Sequence, residues 1–105
     1  MKEFLNDHLE TTLPLIEGKW RFHIICSLLE RPKHFRELQR SVGKISQKVL
    51  TENVRSMEKD GLITRHIRKD ETNVNVVYRL TQNGYSIISV IDELVRWSMK
   101  YKSDI

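Results

Sequence analysis

The strongest constraint on the fold lies mid-chain, where a helical rhythm of apolar residues stops at a glycine and a strand rhythm begins. Leu50, Val54 and Met57 recur at spacings of four and three, which lines one face of a helix. Ser46 stands where an N-cap belongs, its hydroxyl able to accept from an amide two or three residues on. Gly61 is placed to close the same helix as its C′ residue, so the spacing predicts a helix over Gln47 to Asp60. Immediately afterwards Ile63, Arg65 and Ile67 alternate with Leu62, Thr64, His66 and Arg68, the pattern of a strand over a partly solvated surface. Lys69 to Asn73 is polar and turn-forming, and Val76, Tyr78 and Leu80 then alternate with Val77 and Arg79. A helix that delivers the chain straight into a hairpin is the expected result.

The flanking segments read as helices. Phe4, Leu5, Leu9, Leu13 and Ile16 share one face of a short helix, and Pro14 argues against a long uninterrupted one because its ring removes a donor. From Lys19 to Leu29, apolar residues cover most of the circumference, which predicts a central, buried helix with Cys26 as a buried structural thiol. Arg31-Pro32 breaks the chain. A short helix then runs from His34 to about Arg40, with Phe35, Leu38 and Val42 inward, and Ser41 to Lys44 form the turn before Ser46. Thr81 or Asn83 caps a last helix from about Asn83 to Lys100. At 105 residues the whole chain, 1–105, is expected to be a single domain. One cysteine excludes an internal disulfide framework and fits a reducing cytoplasm. No apolar run approaches a membrane span or resembles a signal peptide.

Charge separates the middle of the chain from its ends. Residues 31–69 carry eleven bases and four acids, net +7, whereas residues 1–30 are at −2 and residues 70–105 at −1. Such a block in a folded domain marks a polyanion-binding face. Helix, turn, helix and hairpin in that order is the winged helix-turn-helix layout: mainly α with a small β-hairpin wing. With Leu50, Val54 and Met57 turned inward, about 100° per residue puts Lys48, Glu52, Arg55 and Lys59 on the opposite face, with Gln47 and Thr51 beside them. Together with Ser46, these form the expected DNA-reading surface: Arg suits guanine and Gln adenine, while Lys and Thr more often touch phosphate. Lys33, His34, Arg36, Lys44, Arg68, Lys69 and Arg79 are the expected backbone and wing contacts.

Several segments are similar to the HxlR-type winged-helix transcriptional regulators of bacteria and archaea. They are Ile16-Glu17-Gly18-Lys19-Trp20, Pro32-Lys33-His34-Phe35-Arg36-Glu37-Leu38, Ile45-Ser46-Gln47-Lys48-Val49-Leu50-Thr51, Asp60-Gly61-Leu62-Ile63 and Tyr78-Arg79-Leu80-Thr81-Gln82-Asn83-Gly84. Their order and spacing agree with the family from about residue 8 to residue 98. The resemblance implies a sequence-specific DNA-binding regulator that acts as a homodimer, joined through its terminal helices. Some family members carry a cysteine thirteen residues before the Trp of Gly-Lys-Trp. Asp7 occupies that place here, so that thiol switch is not expected. The wing tip of the family often carries prolines and an arginine; Asp70 and Glu71 stand there instead, which disfavours deep minor-groove insertion.

The last helix carries more apolar residues than one stripe can bury against so small a core. Ile87, Ile91, Leu94 and Ser98 form a seam that Ile88, Val95 and Trp97 widen, and Leu9 and Leu13 of the first helix lie alongside. A second subunit covers such a patch economically, on a pseudo-palindromic DNA site. Two alternatives remain open: a winged module that binds an acidic protein through the same face, and a regulator with a small-molecule pocket near Trp20 and Trp97. His8, His23, His34, His66 and Cys26 lack metal-ligand spacing, and Gly18, Gly43, Gly61 and Gly84 are isolated rather than a phosphate loop. No metal, cofactor or enzymatic activity is expected. Double-stranded DNA and a second copy of the chain are the expected partners.

Overall fold

The computed structural model describes residues 1–69 and 71–104. Five helices are α1 (Lys2–Ile16), α2 (Lys19–Glu30), α3 (Phe35–Val42), α4 (Gln47–Lys59) and α5 (Gln82–Ser103), and the strands are β1 (Lys33–His34), β2 (Ile63–Lys69) and β3 (Val74–Leu80). The strands form one antiparallel sheet in the order β1-β3-β2. The core lies between this sheet and α2, α3 and α4: Ile24, Ile25 and Leu28 meet Leu38, Leu50, Val54, Met57, Ile63, Tyr78 and Leu80.

Local chemistry sets most boundaries where the sequence places them. The Ser46 hydroxyl accepts from the Val49 amide at 3.1 Å and starts α4. At its end, Gly61 adopts φ 76° and the Leu62 amide returns to the Met57 carbonyl at 2.9 Å, the left-handed closure glycine permits. Thr81 caps α5: its hydroxyl accepts from the Gly84 amide at 3.0 Å and donates to the Gly61 carbonyl at 2.6 Å, which ties the start of α5 to the end of α4.

Gly84 has a steric reason to lack a side chain. A Cβ there would stand 2.2 Å from the Leu62 carbonyl oxygen, a backbone atom that cannot swing away. Gly84→Ala is therefore expected to cost about 1–3 kcal/mol through overpacking. Urea unfolding should show a lower midpoint with an unchanged slope; an unshifted midpoint would mean the junction yields freely.

The structure departs from the sequence-based expectation in several places. α1 is continuous through Pro14, which falls in its last turn; the helix has no buried residue, so water can satisfy the carbonyl that proline leaves without a donor. A third strand, β1, pairs Lys33 with Tyr78 and His34 with Val77. α3 extends to Val42, with Gly43 beyond it at φ 112°. Cys26 is exposed rather than buried. α2 turns Arg21, Ile24, Ile25 and Leu28 inward, and Cys26 falls on the other side with His23 and Leu29, which are also exposed.

The terminal helices project from the core. The radius of gyration is 16.2 Å with extents of 57 × 31 × 24 Å, against about 13 Å for a compact chain of this size. Within α5 only Gly84 is buried, and Ile87 and Ile88 pack partly on the core. Beyond them Leu94 and Trp97 are 51% and 62% exposed, Trp97 stacking on Tyr101 at 5.3 Å. Leu9, Leu13 and Val95 are also exposed, while Ile87, Ile91 and Ser98 are half-buried. Trp20, by contrast, packs against the core.

Candidate nucleic-acid interface

Burial of the Leu50–Val54–Met57 stripe fixes which side of α4 faces water. Gln47, Lys48, Thr51, Glu52 and Arg55 together line one shallow concavity on that side. Thr51 is half-buried and its hydroxyl donates to the Gln47 carbonyl at 2.8 Å, whereas the other four are exposed with their side-chain ends outward. The surface offers donors and acceptors of different lengths over about two turns. Ser46 is exposed at its edge, but its oxygen is engaged as the cap.

A second concavity, lined by Phe35, Arg36, Gln39, Arg40 and Gln47, continues from the first. Gln47 is common to both, so α3 and the start of α4 form one surface. The Gln39 amide donates to the Ile45 carbonyl at 3.1 Å and holds the connecting turn. Arg40 was absent from the expected contacts. Its spacing of four from Arg36 on a helix whose Leu38 faces inward is the signal that identifies it. Lys44, on the turn, is exposed.

Lys33 requires a correction. It is 3% exposed, its ammonium donates to the Ser27 carbonyl and lies 3.5 Å from Glu30. Pairing of β1 with β3 draws it under the end of α2, where a cation satisfies free helix carbonyls; it is not available to a phosphate. The neighbouring His34 is exposed, with Nδ1 3.1 Å from the Val76 carbonyl oxygen.

His34 also starts α3. Its amide donates to Glu37 Oε1 at 3.1 Å, and Arg31 bridges Oε2 at 2.8 Å. The His34 backbone amide, and then Arg31, hold the Glu37 carboxyl below its ordinary range. A depressed folded-state pKa contributes stability above the unfolded value that is lost as pH falls through the folded one. Amide exchange at the start of α3 should therefore be flat from neutral pH to mild acid and accelerate, after correction for intrinsic rates, only below the ordinary carboxyl range. Glu37→Gln should abolish that acid limb; a limb unchanged in the variant would assign it elsewhere.

The hairpin separates residues that the sequence had grouped. Thr64 pairs with Arg79, Arg65 with Tyr78, Arg68 with Asn75 and Lys69 with Val74. Side chains alternate across a strand, so Arg68 and Arg79 share one face. Lys69 shares the other with Arg65 and the buried Tyr78. Arg65 is a second residue missed by the sequence reading, although its parity with Tyr78 across the hairpin marks it. Burial pushes the Tyr78 phenol up, opposed by the Arg65 guanidinium across the hairpin, with Glu58 and Arg55 of α4 also within electrostatic reach. Arg65 itself is exposed on that face of the wing. Glu71 is exposed at the wing tip; Asp70 lies outside the described residues. Among the described residues, no group of His, Cys, Asp and Glu is arranged to hold a metal ion, and no helix is long and apolar enough to cross a membrane.

The HxlR-like helix-turn-helix pattern matches residues 15–105. The chain belongs to the HxlR family. This HxlR-family protein is 36% identical over 95 residues to an HTH-type transcriptional regulator of Methanothermobacter thermautotrophicus, spanning 90% of this chain and 72% of that protein. It is 31% identical over 93 residues to the HTH-type transcriptional regulator YodB of Bacillus subtilis, spanning 89% of this chain and 82% of YodB. A crystal structure described as a MarR-family transcriptional regulator from Enterococcus faecalis V583 superposes with a TM-score of 0.84 at 31% identity, covering 94% of this chain and 89% of that one. Family and fold together make the HxlR-family chain a winged-helix, DNA-binding transcription regulator.

Proposed function

We propose that this HxlR-family regulator acts in the cytoplasm as a homodimer, each chain a single winged domain spanning residues 1–105, on a pseudo-palindromic operator. The observation that carries the reading is the convergence of Gln47, Lys48, Thr51, Glu52 and Arg55 on the solvent side of a helix whose other side is core. α4 enters the major groove by its N-terminal half, as recognition helices do. Arg55 pairs with a guanine edge, Gln47 with an adenine, and Glu52 accepts from a cytosine amine. Lys48 and Thr51 take phosphates, as do His34, Arg36, Arg40 and Lys44 on the α3 side. Arg65, Lys69, Arg68 and Arg79 hold the backbone on the two faces of the wing.

The dimer is built from Leu9 and Leu13 of α1 with Ile87, Ile91, Leu94, Val95, Trp97 and Ser98 of α5. Support comes from the exposure of five of these apolar side chains on helices that project from the core. Its two-fold axis sets the recognition helices about 34–36 Å apart, or a multiple of that.

The test is a salt titration on duplexes that the purified protein retains from a random-sequence pool. Phosphate neutralisation gives a log–log slope of about −0.9 per contact. A steep slope on double-stranded DNA, with one sequence class enriched, is the expected result. A flat slope or an unenriched pool would exclude this reading in favour of a protein partner.

A further inference from the structure

One guanidinium joins the ends of two helices that have different tasks. Arg21, at the start of α2, has a side chain only 10% exposed. Its Nη1 donates to the Leu15 carbonyl at 3.1 Å, in the last turn of α1. Its Nη2 donates to the Ser56 hydroxyl at 2.6 Å and to Asp60 Oδ2 at 2.7 Å, in the last turn and at the C-cap of α4. The final carbonyls of a helix lack internal donors and carry its negative dipole end, so a cation between two such ends is favourable for both. The planar fork of arginine fixes the directions of its bonds as well as their number.

The position of this bridge gives it a role beyond cohesion. α1 has no buried residue, so apolar packing inside the chain does little to orient it, and the Arg21 bond sets where its last turn sits. α4 is about 20 Å long at 1.5 Å per residue and is seated on the core by Leu50, Val54 and Met57. The Arg21 bonds hold its C-terminal end while bases are read at the other. A tilt of about 10° at the pinned end moves the reading end by about 3 Å, close to the 3.4 Å between successive bases on a strand.

We propose that Arg21 is a positioning residue that transmits the geometry of the α1 dimer arm to the recognition helix, and so sets which half-site spacing the dimer accepts. The inference rests on the dimeric DNA-binding reading above. Arg21 contacts neither base nor phosphate in this reading; it links the α1 arm of each chain to the end of that chain's own α4, alongside the α5 connection through Thr81. Lysine at this place keeps the charge but lacks the fork, and should loosen the link without removing it.

The test uses the full-length dimer. Arg21→Lys is compared with the parent chain for binding to a duplex with one half-site, to the selected operator, and to the operator lengthened by one base pair between half-sites. In parallel, nitroxide labels on Lys59→Cys in a Cys26→Ser background report the distance between the two α4 helices without DNA. The expected result is half-site affinity within about twofold of the parent, and a spacing penalty that falls from about tenfold to about threefold or less. The inter-helix distance distribution should broaden about twofold. An unchanged spacing penalty and an unchanged distribution would overturn the proposal. Half-site affinity falling in step with operator affinity would do so too, since that marks damage to α4 itself.

Should Arg21→Lys fail to fold, Ser56→Ala and Asp60→Ala together cut the α4 arm while leaving the Leu15 bond, and the same readouts decide. A parent chain that forms a narrow label pair but binds no duplex refutes the DNA reading and leaves the bridge measured. A parent chain that is monomeric overturns both.

Discussion

Leu94→Glu is expected to leave the HxlR-family chain monomeric and to weaken operator binding by about 10²–10⁴, the factor that linking two sites contributes through effective concentration. Leu94 is half-exposed on the part of α5 beyond the core and is absent from the buried cluster. The winged domain should therefore fold with the carboxylate in place, while a dimer seam would have to bury that charge without a partner, at a cost of several kcal/mol. Sedimentation at tens of micromolar and fluorescence anisotropy on the selected operator read the two effects. A variant that remains dimeric, with parental affinity, would show that α5 is not the seam.

Arg55→Ala and Gln47→Ala are expected to cost about 1–3 kcal/mol each on the specific site, about 5- to 150-fold in affinity, and to relax the preference at one base position each. Lys48→Ala should behave differently: it should weaken all sequences alike and reduce the salt slope by about one. All three side chains are exposed, so thermal stability should be nearly unchanged. Competition against a library of single-base operator variants separates the two classes. If Arg55→Ala and Gln47→Ala left both affinity and base preference at the parental level, the reading face of α4 would have to be reassigned.

The legibility of each element followed the range of the forces that form it. α4 could be read from Ser46, its apolar stripe and Gly61 because cap, stripe and closure all lie within one short stretch. The hairpin was legible for the same reason. β1 is two residues long and exists because it pairs with β3, more than forty positions away, so nothing local in Pro32-Lys33-His34 announces it. The burial of Lys33 follows from that pairing, and the sequence counted it among surface charges. Cys26 was misplaced on different grounds: a helix apolar nearly all round can be covered on one side only when a single chain supplies the neighbours. With the thiol exposed, burial no longer argues against its reacting. Arg21 looked like one more base near the start of a helix, since its acidic partner lies thirty-nine positions later.

The two ends of the Arg21 bridge place unequal demands on the sequence. On α4 the acceptors are side chains, and a change at Ser56 or Asp60 removes one. On α1 the acceptor is the carbonyl of Leu15, a group that every amino acid carries. Position 15 can therefore drift in size and polarity while the bond persists, and the arm can be remodelled to suit a different mate without rewriting the joint. A gene copy of this regulator could acquire a new pairing preference through α1 and keep its inherited geometry on DNA.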